Sequence, residues 1–103
     1  MKRAASFLKE PTRRWVNEQI RIYEFEEHHI RILNLAAECW DHLEAIRGIL
    51  ETAGYETIDR FGQVKAHPLL AEERAQMKLF AQLVRELGLD LAEAEPPRRP
   101  PRK

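Results

Sequence analysis

Between Ile32 and Ala53, apolar side chains recur at Ile32, Ala36, Cys39, Leu43, Ile46, Leu50 and Ala53, in steps that alternate between four and three. That spacing keeps one stripe of a helix apolar, in the manner of a heptad seam. A second set, Ile30, Leu33, Ala37 and Trp40, falls on a different face, and Leu35 and Ile49 add to it. The first half of this helix is therefore apolar over more than the ~100° stripe of an ordinary surface helix. Gly54 offers a left-handed stop. A long central helix is predicted over about 27–53.

Upstream, Pro11-Thr12 reads as a helix start with Thr12 as N-cap. Val16, Ile20 and Tyr23 then follow at spacings of four and three, predicting a helix over about 12–24. The helical phase carries on through Phe25, His29 and Ile32, so one unbroken helix from Thr12 to Ala53 fits the pattern as well. Such a helix would span about 60 Å, far beyond the usual three or four turns. A break is expected near Tyr23 to Glu27, where aromatic and branched residues crowd and Glu26-Glu27 can open a new first turn. Residues 1–10 hold no sustained period and are expected to form a mobile or partner-ordered basic arm.

After Gly54, the β-prone runs Tyr55-Glu56-Thr57-Ile58 and Gln63-Val64-Lys65 flank the turn Asp59-Arg60-Phe61-Gly62, predicting a hairpin over about 55–65. A lone two-stranded hairpin is marginal in water and must pack on a helix or on a neighbouring chain. Pro68 suits a first helical position, with Glu72 and Glu73 near the positive end of the dipole. His67, held extended by the proline after it, is read as a cap for this helix rather than as a catalytic or DNA-contacting group. Leu70, Met77, Phe80, Val84 and Leu87 form one face, with Leu69, Leu79 and Leu83 beside it. Gly88 ends the helix, predicted over about 68–87, and Leu89 can fold back onto Val84. Residues 91–103, rich in Pro and Arg, are expected to be a disordered tail. The fold expected is mostly α, with two or three helices in a domain over 11–90, a hairpin between the last two, and basic termini.

A chain of 103 residues buries only about 60–65% of its unfolded surface, so a monomer is marginal. The broad apolar surface of the central helix exceeds what three helices can cover, which argues for subunit packing. Ile30, Leu33, Ala37 and above all Trp40 are the expected interface residues. The single Cys39 excludes an internal disulfide and fits a reducing compartment. Met1-Lys2-Arg3 has the charge of an export signal, but the apolar run behind it is broken at Ser6 and ended by Lys9-Glu10. No stretch approaches the ~18–20 apolar residues needed to cross a bilayer.

The formal charge of zero conceals an asymmetry. Residues 1–14 set Lys2, Arg3, Lys9, Arg13 and Arg14 against Glu10 alone, a net of +4. Residues 96–103 carry Arg98, Arg99, Arg102 and Lys103 and no acid, another +4, which leaves −8 for the body. Basic ends on an acidic body suit arms that touch nucleic acid or an acidic partner, and equally suit solvated tails.

Enzyme chemistry finds little support. The four glycines are scattered caps and turns with no phosphate loop among them. Cys39 lies on the heptad seam as a small hydrophobe. Cys39 and His42 are three apart, but His28 and His29 lie at least ten residues from them along the helix, so no metal site assembles locally. Glu26/Glu27 and Glu72/Glu73 are sequence neighbours that point to different helix faces. No catalytic residue, metal or cofactor is expected.

The block Asp59-Arg60-Phe61-Gly62-Gln63-Val64-Lys65-Ala66-His67-Pro68, followed about twenty residues later by Arg85-Glu86-Leu87-Gly88-Leu89-Asp90, resembles the terminase small subunits of tailed phages. It is similar to the small all-helical branch from phages that cut their DNA at cohesive ends. The similarity runs upstream through Leu35-Ala36-Ala37-Glu38-Cys39-Trp40-Asp41 and weakly to Trp15. The resemblance implies a non-enzymatic packaging factor in the host bacterial cytoplasm, which forms a ring, binds double-stranded viral DNA and recruits or regulates the ATPase and nuclease large subunit. Lys2, Arg3, Lys9, Arg13 and Arg14 are the expected DNA contacts, and Arg98, Arg99, Arg102 and Lys103 a possible second contact to DNA or to the large subunit. Many relatives continue beyond the Gly-Leu end into further helix, whereas here the chain turns basic and proline-rich. Two alternatives stay open: a helical oligomerisation adaptor, and a small dimeric DNA-binding regulator.

Overall fold

The computed structural model describes residues 2–89. Three helices, α1 (Glu10–Ile22), α2 (Glu27–Ala53) and α3 (Leu69–Leu87), are joined by a short turn and by an antiparallel hairpin of β1 (Glu56–Ile58) and β2 (Val64–Ala66). The fold is mostly helical around one long central helix, with the hairpin between the last two helices, as the periodicity predicts. No helix among the described residues is long and apolar enough to cross a membrane.

α1 starts two residues before the expected position. Pro11 lies in its first turn, where a missing N–H costs nothing. Thr12 is therefore no N-cap: it is buried inside the first turn, and its hydroxyl donates to Asp41 Oδ1 of α2 at 2.6 Å. The other oxygen of Asp41 accepts the Lys9 N–H at 2.8 Å. The carboxylate that secures this helix start thus comes from across the fold. The break falls where it is expected: Tyr23 leaves the helix in an extended conformation, and α2 begins at Glu27. There the Glu26 N–H donates to His29 Nδ1 at 3.1 Å. The turn between them carries Phe25 into the core, stacked on Tyr23.

Along α2 the seam residues Ala36, Cys39, Leu43, Ile46 and Leu50 are buried, and α3 packs along this helix. The second face does not wait for a partner. Ile30, Leu33 and Ala37 are buried in one cluster with Ala4, Leu8, Val16, Phe25 and Leu89. They are not interface residues, because this chain's own N-terminal segment and α1 cover them. Only Trp40 of the expected set stays half-exposed.

The segment before α1 is correspondingly no mobile arm. The Ala4 N–H donates to Asn17 Oδ1 at 2.9 Å and the Ala5 N–H to Asn34 Oδ1 at 2.8 Å. The Asn34 amide in turn donates to the carbonyls of Arg3 and Ile30. Two asparagines thus satisfy the backbone of an irregular strip that has no ladder partner of its own.

Gly54 ends α2 with positive φ but an extended ψ (86°, 171°), so the stop is not the left-handed cap expected; its N–H still returns to the Leu50 carbonyl. In the hairpin loop, Gly62 takes the positive φ that closes the turn and donates to the Asp59 carbonyl at 3.0 Å. The His67 N–H reaches back to the Tyr55 carbonyl at 2.8 Å, and His67 Nδ1 accepts the Leu69 N–H at 3.1 Å. His67 therefore caps α3 and ties it to the hairpin base, as its place before Pro68 suggests. Gly88 ends α3 in the left-handed region, and Leu89 is buried among the core residues, with Val84 and Leu87 against the same cluster.

Candidate interfaces on the helical frame

The five basic residues at the start of the chain divide once the segment folds onto α2. Arg3 and Arg13 come together around an open depression of about 650 Å³ that Ala4, Ala5 and Ser6 complete. Arg13 is held there by donating to the Leu8 carbonyl at 2.6 Å. The Lys2 ammonium donates to the Phe25 carbonyl at 2.6 Å. Arg14 pairs with Glu10 at 3.6 Å one turn away, an exposed pair of little energetic weight. Lys9 faces elsewhere, into a second open depression of about 620 Å³ with Glu44, Arg47, Glu51 and Glu73. Two of the five expected DNA contacts, Arg3 and Arg13, thus form one basic site. Arg98, Arg99, Arg102 and Lys103 lie outside the described residues.

A third depression, of about 500 Å³, is mostly apolar and lies where all three helices meet. Pro11, Thr12 and Trp15 come from α1, Trp40 and Glu44 from α2, and Phe80 from α3. The Phe80 ring is the hub, with its centroid 5.3 Å from that of Trp40 and 6.5 Å from that of Trp15. Three aromatic rings in tilted contact make a rigid apolar floor. The sequence names Trp15 and Trp40 but offers no sign that Phe80 joins them, because that contact depends on how α3 lies across α2.

The hairpin is the opposite kind of surface. Both strands are exposed except at Thr57, and Tyr55, Ile58, Phe61 and Val64 project apolar side chains into solvent. Phe61, at the tip, is 76% exposed. The Arg60 guanidinium lies over the Phe61 ring, 5.3 Å from its centroid. Asp59 organises the loop beneath: Oδ1 accepts the N–H groups of Phe61 (2.8 Å) and Gln63 (3.0 Å), and Oδ2 faces Lys65 at 3.4 Å. The Gln63 N–H foremost, with help from Phe61 and Lys65, holds the Asp59 carboxyl below the usual carboxylate range.

Among the described residues, the remaining titratable groups lie apart from one another or on exposed faces. Burial, with a smaller contribution from Glu38, pushes the Cys39 thiol above its ordinary value, which disfavours the thiolate. His42, one turn on, is exposed and lies 3.9 Å from Glu38. The rings of His28 and His29 approach to 4.1 Å, but no group of three metal-binding side chains occurs among the described residues.

No known family model, characterised protein or solved structure matches the chain.

Proposed function

We propose that this chain is a non-enzymatic viral DNA-packaging factor of the terminase small-subunit kind. In that reading it assembles into a ring in the bacterial host, holds the phosphate backbone of double-stranded DNA and presents that DNA to an ATPase and nuclease large subunit. The observation that carries the reading is the form taken by the Asp59 to Pro68 block, on which the resemblance rests. It folds as one unit, a hairpin latched through His67 to the start of α3, with its apolar side chains turned outward. An exposed apolar tip on a latched unit of this kind suits a contact between copies.

The Arg3 and Arg13 pair supports the DNA part of the reading. Two guanidinium groups around an open basin of about 650 Å³ suit bidentate contact with phosphate oxygens. Arg3 lies in the irregular segment and Arg13 in the first turn of α1, so binding is expected to follow the backbone and to gain strength from repetition around the ring. The pairing of Arg14 with Glu10 favours the adaptor alternative, since it sets an acid against one of the expected cations.

Retardation of double-stranded DNA across a salt series, with solution mass measured alongside, decides between them. The packaging reading expects a multi-copy assembly whose DNA affinity falls steeply with salt. An assembly indifferent to DNA at low salt means an adaptor, and a DNA-binding dimer means a regulator.

A further inference from the structure

We infer that the hairpin tip of one copy docks into the Trp15–Trp40–Phe80 groove of a second copy, with Phe61 on the aromatic floor and Arg60 paired with Glu44 at the rim. This deepens the assembly part of the proposed function and rests on it, but not on the DNA part. Each half of the contact is present in the chain and unmet within it. The groove offers apolar space of about 500 Å³ walled by three rings, and Glu44 makes no ion pair among the described residues. The tip offers an exposed ring with a cation fixed above it, and Arg60 likewise has no acidic partner among the described residues. An aromatic ring and a cation travelling together match an aromatic floor with a carboxylate at its edge.

A copy does not fill its own groove. Trp40 is thirteen residues before the end of α2 and Phe80 eleven after the start of α3. At 1.5 Å per residue, the groove lies about 16–20 Å from the hairpin base along both helices. The hairpin is folded on itself, and its tip stands in solvent. Asp59 preorganises the loop, so little freedom is lost when the tip docks. Tip and groove are different surfaces of one molecule, and the ring reading takes the contact as head-to-tail, each tip entering the groove of the next copy. Contacts of that type close into rings when the rotation permits.

The test uses the full-length chain. Phe61→Ala removes an exposed ring, so circular dichroism should show an intact fold. The association constant should nevertheless fall on the order of tenfold to a hundredfold. Arg60→Glu should weaken assembly similarly, and Arg60→Glu combined with Glu44→Arg should restore it. In a Cys39→Ala background, an Arg60→Cys chain mixed with a Glu44→Cys chain should give an oxidised dimer in high yield, and an Arg60→Cys with Arg31→Cys mixture should not. Assembly unaffected by Phe61→Ala, or no cross-link between positions 60 and 44 in an assembled protein, overturns the docking and leaves the packaging reading standing. A wild-type chain that stays a single copy at tens of micromolar overturns both.

Discussion

Replacing Leu33 by alanine removes three carbons from a fully enclosed point of the core, where the side chain has no exposed surface. At ~0.8 kcal/mol per methylene the transfer loss is about 2.4 kcal/mol. A residual void of roughly 50 Å³, at ~24 cal/mol per Å³, adds about 1.2 kcal/mol, for a total near 3.5 kcal/mol. Against the 5–15 kcal/mol typical of a native domain that loss is large, and at ~4–8 °C per kcal/mol the melting temperature falls by about 14–28 °C. Leu35, two residues on, is 47% exposed, and Leu35→Ala should cost about 1 kcal/mol or less. The assay is urea unfolding followed by circular dichroism, for both variants, at two protein concentrations tenfold apart. A Leu33→Ala loss below about 1 kcal/mol refutes its placement in the core. So does a loss that appears only as a change in concentration dependence, since that would return Leu33 to a subunit interface.

Asn34→Ala leaves the Ala5 N–H and the Arg3 carbonyl without partners, so residues 2–9 should exchange amide protons faster and be cut sooner by protease, with a stability loss of about 1–3 kcal/mol. Asp59 has a depressed carboxyl, so its contribution is complete above the unfolded value near 3.9 and is lost as pH falls through its lower folded value. The protection of the Phe61 and Gln63 amides, measured against their intrinsic exchange rates, should fall in that acid range, and Asp59→Asn should already show the lower protection at neutral pH. Arg3→Ala and Arg13→Ala should each weaken DNA binding uniformly across sequences and lower the salt slope by about one unit for each phosphate no longer neutralised, while Arg14→Ala changes little.

Wherever the determinant is local, the chain announces its fold. The four-three alternation along α2, the stop at Gly54, the Asp59 to Gly62 turn and the His67-Pro68 start depend on residues within a few positions of one another. The folded N-terminal segment depends on residues far apart. Ala4 and Leu8 need no period to fill a groove on α2, and Asn17 and Asn34 capture backbone groups 13 and 29 residues away. Asn17 beside Val16, and Asn34 between Leu33 and Leu35 on an otherwise apolar stretch, are the trace this leaves in the sequence. Periodicity also shows that a helix face is covered without showing what covers it. For that reason Ile30, Leu33 and Ala37 read equally well as core or as interface. The aromatic groove lay further out of reach, because Phe80 meets Trp15 and Trp40 only through the packing of α3.

Much of the apolar surface left over lies on the hairpin, while Leu35 and Ile49 of α2 and Phe7 of the N-terminal segment are exposed as well. Ile58 and Phe61 are 70% and 76% exposed on a hairpin that nothing among the described residues covers. Sedimentation of the full-length chain over a range of micromolar concentrations reads the outcome directly. A single multi-copy species, reduced to smaller ones by Phe61→Ala, is the result expected. A folded monomer throughout, with the hairpin tip in water, would contradict it.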